Sequence, residues 1–437
     1  MNKSKSIQSM QFTGDIVFIG LSFFVMVWVR SLSVDEHILP FLLVGLGLLI
    51  GNYITGLYDR VAQDYRTNLV RILIVHGTVF IFSVLTFYFA FSKLNISPKT
   101  NLFIFFSVSC VLATLWRYLF VKYRPFVQNV YIFGSGEDFT DLVEHLKSNK
   151  DKYYQLIRYV DLEKNYVEDI KKEFKSIGVD NSNLIVIDTE NPKIKLIKEY
   201  LYESIYTGVK YRELKDFFEQ VMKRIPLAQI DELWFLTYIQ KSSKPSYLFF
   251  KKTFDLLFCI ILLPTFLIFP IIKLCMYLEG PGKFFIHNSR LGMIGKIIRI
   301  PKIRNRKYDD AGVKFGASNG VNPVSKVGKV IKPLRIDELP QILSVLKGDL
   351  SLIGPRPEFK HIADDLSLDL PYFMMRTLVK PGLSGWAQIN QDYVPSNLKE
   401  TKLKLSYDFY YIKHRSIILE IQIFLKTIRT VLSRFGS

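Results

Sequence analysis

Long apolar runs dominate the first quarter of the chain. Four of them lie near Asp15–Val29, Ile38–Ile54, Leu69–Phe91 and Leu102–Phe120. Each is close to the roughly 20 residues that an α-helix needs to cross the hydrocarbon core of a membrane. The pattern predicts a bundle of four transmembrane helices over residues 1–124. A soluble helical core is the alternative interpretation of the same runs.

The charged residues around these runs predict an orientation, because cytoplasmic loops of membrane proteins are enriched in lysine and arginine. The first loop is acidic, with Asp35 and Glu36. Basic residues precede the first run, separate the second from the third and follow the fourth: Lys3, Lys5, Arg60, Arg66, Arg71, Lys122 and Arg124. Both ends of the predicted bundle therefore face the cytoplasm.

The hydropathy pattern of residues 125–247 differs from that of the first part, with short apolar runs between polar stretches. Asn129–Gly136 reads as a strand entering a glycine turn, and Asn183–Asp188 reads as a second strand. Strands that alternate with helix-compatible segments indicate a parallel sheet. We expect a small Rossmann-like α/β module here.

The glycine turn only partly matches a dinucleotide-binding fingerprint. That fingerprint is G-x-G-x-x-G, and Phe139 takes the third glycine's place after Gly134 and Gly136. Tyr206 and Lys210 have the Y-x-x-x-K spacing of short-chain dehydrogenases and sugar epimerases. Two interpretations stay open, a cofactor-binding enzyme domain and a structural or regulatory module.

A fifth apolar run, residues 254–278, is interrupted by Pro264 and Pro270 and begins beside Asp255. Proline removes a helix hydrogen bond and kinks the helix. Basic residues lie on both sides of the run, which argues against a simple crossing: Lys251, Lys252, Lys273, Lys283 and Arg290. We expect a broken helix that enters and leaves on the cytoplasmic face. A kinked spanning helix is the alternative.

The overall composition limits the classes of molecule that the protein is expected to bind. The 437 residues include 58 lysines and arginines against 40 acidic residues, a formal charge of +18. Such a charge suits anionic lipid headgroups, phosphorylated substrates or nucleic acid. Without a nucleic-acid-binding signature, membrane lipid and phosphate are favoured. Cys110, Cys259 and Cys275 all lie in apolar runs, and their spacing indicates neither a zinc site nor a disulfide framework.

The candidate chemistry lies between Asp337 and Pro357. Asp337 and Glu338 are adjacent carboxylates that could share a divalent cation, or one could attack a phosphorus centre. Acidic residues also favour the first turn of a helix, so the pair alone could be structural. Arg356 stands between two prolines, and its guanidinium suits phosphate. Phosphoryl transfer needs such positioned charge.

Three long motifs then resemble a known family. They are Asp337–Gln341 (DELPQ), Val345–Pro357 (VLKGDLSLIGPRP) and Lys380–Asn390 (KPGLSGWAQIN). Residues 248–437 resemble the bacterial sugar transferases that are polyprenyl-phosphate glycosyl-1-phosphate transferases, which are monotopic enzymes with a re-entrant helix. With its first four helices and α/β module, the chain resembles the larger members that start O-antigen, capsule or exopolysaccharide assembly.

The resemblance implies transfer of a sugar-1-phosphate from a UDP-sugar to a polyprenyl (undecaprenyl) phosphate, with release of UMP. It implies that Asp337 is the nucleophile, that the Asp337–Glu338 pair holds Mg²⁺, and that the enzyme works on the cytoplasmic face of the bacterial inner membrane, where a homodimer is plausible. The phosphate-binding residues would be Lys302, Arg304, Lys332, Arg335 and Arg356. The basic pair and acid that open the re-entrant helix would be Lys251, Lys252 and Asp255.

Some positions depart from the family pattern. Lys332 stands where an arginine is usual, and lysine lacks the bidentate fork that Arg335 could supply instead. Ile303 replaces an aromatic residue. Two alternative functions stay open, a membrane-anchored nucleotide-sugar dehydratase or epimerase and a non-catalytic polysaccharide-assembly scaffold. The sequence leaves the identity of the sugar open.

Overall fold

The computed structural model describes residues 3–55, 57–58, 65–89, 98–123, 127–148, 151, 153–177, 183–205, 209–239, 245–306, 324–391 and 395–433. Within them the chain is mostly helical, with three small sheets. The predicted class, membrane α plus α/β, agrees with this architecture. The bounds of the three predicted domains stay predictions.

The first part is four long helices, α1 (Lys3–Arg30), α2 (Val34–Ile54), α3 (Tyr65–Phe89) and α4 (Pro98–Tyr123). Each contains an apolar stretch of 20 to 22 residues, enough to cross a membrane. Aromatic rings fill the space between the helices, with Phe41 in edge contact with both Phe87 and Phe105. Most other apolar side chains point outward, as they do where lipid surrounds a helix.

An ion pair ties α1 to α4 inside this part. The guanidinium of Arg117 donates to both carboxylate oxygens of Asp15 at 2.7 and 2.6 Å, and Tyr58 adds a third bond at 2.7 Å. Arg117 and Asp15 expose only 1% and 2% of their side chains. Charges at membrane depth are tolerated when they pair with one another, so the pair stabilises this helix contact.

The middle module has a four-stranded parallel sheet in the order β2-β1-β3-β4. β1 and β3 were expected, whereas β2 and β4 were not, because their residues are polar and only partly buried. The strands are β1 (Gln128–Gly134), β2 (Tyr154–Asp161), β3 (Asn183–Ile187) and β4 (Lys210–Glu213). The helices are α5 (Glu137–Lys147), α6 (Val167–Lys175), α7 (Pro192–Leu196), α8 (Lys198–Ile205), α9 (Leu214–Met222) and α10 (Glu232–Ile239).

A broken helix follows, in three pieces: α11 (Pro245–Leu262), a 3-10 segment (Leu263–Ile268) and α12 (Phe269–Glu279). Pro264 lies in the 3-10 segment and Pro270 opens α12, positions where a missing N–H costs little. The helix begins at Pro245, earlier than the predicted 254, because its first turns carry polar residues that pack on the protein. The break was predicted correctly.

The remaining chain packs largely around one apolar cluster, to which Ile225 and Phe235 of the preceding segment also belong. Its strands are β5 (Phe285–Leu291) and β6 (Ile297–Ile303), which are antiparallel, and β7 (Ser351–Ile353) and β8 (Gly382–Ser384), which are parallel. Its helices are α13 (Lys326–Ile331), α14 (Ile342–Lys347), α15 (Lys360–Asp369), α16 (Trp386–Asn390), α17 (Leu398–His414) and α18 (Ile417–Ser433). Short 3-10 segments of three to six residues link several of these elements.

Candidate active site

The carboxylate pair, Asp337 and Glu338, lies in a 3-10 segment (Ile336–Gln341) that packs against β6. Arg335 enters this segment with a left-handed backbone, φ 57°. Such a conformation is uncommon for a residue with a side chain and marks a tightly constrained turn. The turn directs the two neighbouring carboxylates toward different basic groups.

Asp337 is almost fully buried, with 2% of its surface exposed. Its Oδ2 lies 3.0 Å from Nζ of Lys302 and accepts a hydrogen bond of 2.8 Å from Nδ2 of Asn305. Burial raises the pKa of Asp337, while Lys302 opposes this shift and Glu338 adds to it. The carboxylate is thus desolvated yet held by one cation, as a buried nucleophile would be.

Glu338 lies between two arginines. Arg335 reaches its Oε2 at 3.1 Å and Arg356 reaches its Oε1 at 2.9 Å. Burial alone would raise the pKa of Glu338, but Arg356 and Arg335 together lower it to about 2. The environments therefore push the two pKa values apart, an arrangement that gives neighbouring carboxylates different roles.

Asn305 is the residue of this site that sequence reasoning missed. It is 2% exposed, and it follows residues 302–304 at the end of β6. Its carbonyl accepts a bond of 3.1 Å from the Ser325 amide, and Gly328 packs so closely against it that a Cβ would overlap. An uncharged amide does not stand out in a sequence as a candidate site residue. Its position three residues after Lys302 was the feature that could have indicated a role in the site.

Two predicted phosphate ligands lie elsewhere. Arg304 donates to the carbonyl of Pro281 at 3.1 Å, beside Gly282, whose φ is +145°. Lys332 is exposed at the end of α13. Arg335 rather than Lys332 makes the ion pair with Glu338. The structure thus gathers Lys302, Arg335 and Arg356 around the carboxylates.

The loop Gly354–Pro357, here called the Arg356 loop, is held by the glycine-rich motif after Lys380. Gly354 donates to the carbonyl of Ser384 at 2.8 Å. A side chain on Gly354, Gly382 or Gly385 would overlap the facing backbone. The two distant motifs are therefore halves of one structure that presents Arg356 to Glu338.

Polar bonds attach both ends of the broken helix to the same domain. At the start, Lys251 donates to the carbonyl of Ile353 and pairs with Glu420, both at 2.8 Å. Asp255 accepts bonds from the Ser351 hydroxyl and the Leu352 amide, at 2.7 and 3.1 Å. Lys252, the second predicted basic residue, is exposed.

At the far end, Glu279 accepts bonds from the amides of Lys326 and Val327 at the start of α13, the second of them 3.0 Å long. α12 also packs on the domain through Ile272 and Met276. A straight helix of these 35 residues would separate its ends by roughly 50 Å. The break allows both ends to reach one domain.

A divalent cation would find two carboxylates here. Among the described residues no group of three or more His, Cys, Asp or Glu side chains could hold a metal. Mg²⁺ usually takes one or two carboxylates together with water and substrate phosphate oxygens. Asp337 and Glu338 fit that donor set. The cation would compete with Arg335 and Arg356 for Glu338.

At its glycine turn the middle module departs from a dinucleotide-binding site. Phe139, at the third glycine position, is buried and meets Phe218 edge to face at 5.7 Å. The amine of Lys193 donates to the carbonyls of Leu162 and Asn165 at 2.6 and 2.8 Å, across the ends of β2 and β3. Tyr206, half of the Y-x-x-x-K spacing, lies outside the described residues.

Comparison with known proteins finds relatives of the C-terminal part of the chain. A family profile described as "Bacterial sugar transferase" matches residues 246–434. An uncharacterized sugar transferase, EpsL, of Bacillus subtilis (strain 168) is 36% identical over 189 residues, which are 43% of this chain and 89% of EpsL. The chain belongs to the bacterial sugar transferase family.

Two longer relatives of this sugar transferase have more specific names. A UDP-N-acetylgalactosamine-undecaprenyl-phosphate N-acetylgalactosaminephosphotransferase of Aeromonas hydrophila is 42% identical over 198 residues, 44% of this chain and 46% of the relative. A UDP-glucose:undecaprenyl-phosphate glucose-1-phosphate transferase of Escherichia coli (strain K12) is 33% identical over 159 residues, 36% of this chain and 34% of the relative. The matches to both relatives thus span less than half of their length.

Proposed function

We propose that this sugar transferase moves a sugar-1-phosphate from a UDP-sugar to undecaprenyl phosphate and releases UMP, as the first membrane step of surface polysaccharide assembly. The observation that carries the proposal is the buried Asp337, with Lys302 on one side and the Glu338–Arg356 pair on the other. The names of the relatives support the substrate classes.

The proposed chemistry has two steps. In the first, a carboxylate oxygen of Asp337 forms a bond to the sugar-bearing phosphorus, the bond from that phosphorus to the bridging oxygen breaks, and UMP leaves. In the second, a phosphate oxygen of the lipid bonds to the same phosphorus and frees Asp337. Lys302 and Asn305 orient the nucleophile, and Arg335 and Arg356 supply positive charge for phosphate.

Mg²⁺ is the proposed cofactor, held by Asp337 and Glu338. When bound, it would neutralise charge on the pyrophosphate. Lys302, Arg335 and Arg356 add three further cations, which suits a substrate with several negative phosphate oxygens. Arg304, which is buried, and Lys332, which is exposed at the end of α13, are proposed to add positive charge that attracts phosphate at longer range.

The proposed membrane arrangement is a four-helix transmembrane bundle and a re-entrant broken helix, with the catalytic domain on the cytoplasmic face of the inner membrane. Support comes from the bonds that attach both ends of the broken helix to one domain. Basic residues at both ends of the bundle support the orientation. The homodimer suggested by the resemblance is also a proposal, and native mass spectrometry of the purified chain tests it.

Release of UMP is the test. Membranes containing the chain, supplied with undecaprenyl phosphate and Mg²⁺, should release UMP from one or more of a panel that includes UDP-glucose and UDP-N-acetylgalactosamine. Asp337→Asn should lower release to the background of empty membranes, because the amide is a far weaker nucleophile. EDTA should abolish release and added Mg²⁺ should restore it.

The matched control for this assay is Asp349→Asn. Asp349 is a carboxylate of the same domain that pairs with the exposed Lys347, 3.2 Å away. This variant should keep release near that of the unaltered chain. Unchanged release by Asp337→Asn would reject the nucleophile, and no release from the whole UDP-sugar panel would reject the function.

A further inference from the structure

A second group of charged side chains lies behind the Arg356 loop. It consists of Arg376, Glu358, Asp408 and Lys404, none of which exposes more than 17% of its side chain. Two acids and two bases make the group electrically neutral. Buried charges are stable when they are paired in this way, whereas removal of one partner leaves another uncompensated.

Arg376 connects this group to the site. Its Nη2 lies 2.7 Å from Oδ2 of Asp408 and donates to the backbone carbonyl of Arg356 at 2.9 Å. Its Nη1 donates to Oε1 of Glu358 at 3.3 Å, and Lys404 pairs with the same oxygen. One guanidinium therefore bridges α17 and the two residues on either side of Pro357.

The backbone beyond Arg356 is held as well. Arg290 donates to the carbonyl of Pro357 at 3.0 Å, and the Leu291 amide donates to the carbonyl of Glu358 at 2.8 Å. The carbonyls of three consecutive residues, 356 to 358, each accept a bond. The side chain of Arg356 leaves this fixed backbone toward Glu338, so a shift of the backbone would move its guanidinium.

Neighbouring charges act against burial in this group. Burial alone would raise the pKa of Glu358, but Lys404 and Arg376 lower it to about 2. That carboxylate therefore stays ionised at neutral pH and keeps its attraction for Arg376. Burial also raises the pKa of Asp408 and lowers the pKa of Lys404, and the opposite charges around each of them oppose these shifts.

We infer that Arg376 is a positioning residue, which sets the place of the Arg356 guanidinium through the backbone carbonyl of Arg356. The inference rests on the proposed function of Arg356 in binding substrate phosphate. A lysine at position 376 would keep the charge, but its single ammonium lacks the planar fork that reaches Asp408 and the two loop groups together.

A double-mutant cycle tests this role through kcat and KM for UMP release. Arg376→Lys should lower kcat/KM between about tenfold and a hundredfold, because small misplacements of a positioning group have effects of that order. The loss of kcat/KM caused by Arg356→Lys should be divided between kcat and KM in the same proportion as the loss caused by Arg376→Lys. The double variant should be within about threefold of Arg356→Lys, since a lost guanidinium no longer needs positioning.

Arg224→Lys is the matched control. Arg224 pairs with Asp141 at 2.5 Å, outside the charged group behind the loop, and should keep kinetics within about twofold of the unaltered chain. Asp408→Asn, which keeps the shape of the side chain, provides a second variant if Arg376→Lys does not fold. It should lower kcat/KM about threefold to tenfold and show the same non-additivity with Arg356→Lys.

The outcomes separate this inference from the proposed function. Normal UMP release by Arg376→Lys, or losses that multiply in the double variant, would overturn the positioning role while leaving the function intact. Losses explained wholly by a smaller amount of folded protein would overturn it too. Absence of UMP release from the unaltered chain would overturn both.

Discussion

At the scale of single residues, two adjacent carboxylates have opposite surroundings. Asp337 has one cation and an amide near it, and burial raises its pKa. Glu338 has two arginines, and its pKa falls to about 2. Near neutral pH Glu338 is therefore fixed in its ionised form, and Asp337 is the member of the pair whose ionisation should govern activity on the acid side.

Lys302→Met tests this assignment. Lys302 lowers the pKa of Asp337, so its removal should raise that pKa further. A nucleophilic carboxylate must be ionised, and activity should therefore be lost at a higher pH as the solution is acidified. The measurement is kcat/KM for UMP release from about pH 5 to pH 9. The acid limb of the profile should move to higher pH, and the maximum should also fall.

Lys329→Met is the control for this profile, because Lys329 is exposed on α13. Its acid limb should coincide with that of the unaltered chain. If the limb of Lys302→Met stays in place or moves to lower pH, a group other than Asp337 controls the acid side.

The sequence predicted the charged members of the site and missed the neutral one. Asp337, Lys302 and Arg356 carry charge in recognisable motifs. Strict strand alternation would place Lys302 with Arg304 on one face. β6 ends at Ile303, so the chain turns and brings Asn305 to Asp337 instead. That turn depends on packing against Ser325 and Gly328, which are distant in sequence.

At the scale of elements, the broken helix shows what hydropathy can and cannot predict. Its apolar interior and its two prolines identified the break. Its start was placed too late, because Tyr247 and Lys251 are polar groups that bond to Glu420, at 2.7 and 2.8 Å. Glu420 lies on α18, more than 160 residues away along the chain. A local pattern cannot report contacts of that range.

Labelling of single cysteines tests whether the broken helix is re-entrant. Ser246→Cys and Lys283→Cys, at exposed positions beside its two ends, would be introduced after the native Cys110, Cys259 and Cys275 are replaced. A membrane-impermeant maleimide should label both in inside-out vesicles and neither in right-side-out vesicles. Both ends contact one domain, so they should share one side.

Ser31→Cys is the control with the opposite expected result, since Ser31 is exposed in the loop between α1 and α2, beside the acidic first turn of α2. It should be labelled only in right-side-out vesicles. Labelling of positions 246 and 283 from opposite sides would show a spanning helix and reject re-entry.

At the scale of the whole molecule, helix α17 joins the middle module to the site. Glu219 on α9 contacts Lys413 and His414 at 2.7 and 2.8 Å. The same helix carries Asp408, which pairs with Arg376 behind the Arg356 loop. Helix α18 packs on α3 and so links the C-terminal part of the chain to the first four helices. The sequence predicted three parts but not these connections, which depend on isolated polar residues.

The most direct test of the central claim is exchange of isotope between labelled UMP and a UDP-sugar in the absence of undecaprenyl phosphate. A phospho-sugar bond to Asp337 can form and reverse without the lipid, which is characteristic of a two-step covalent mechanism. The unaltered chain should move label from UMP into the UDP-sugar, and Asp337→Asn should not. Exchange that requires the lipid, or that persists in Asp337→Asn, would contradict transfer through Asp337.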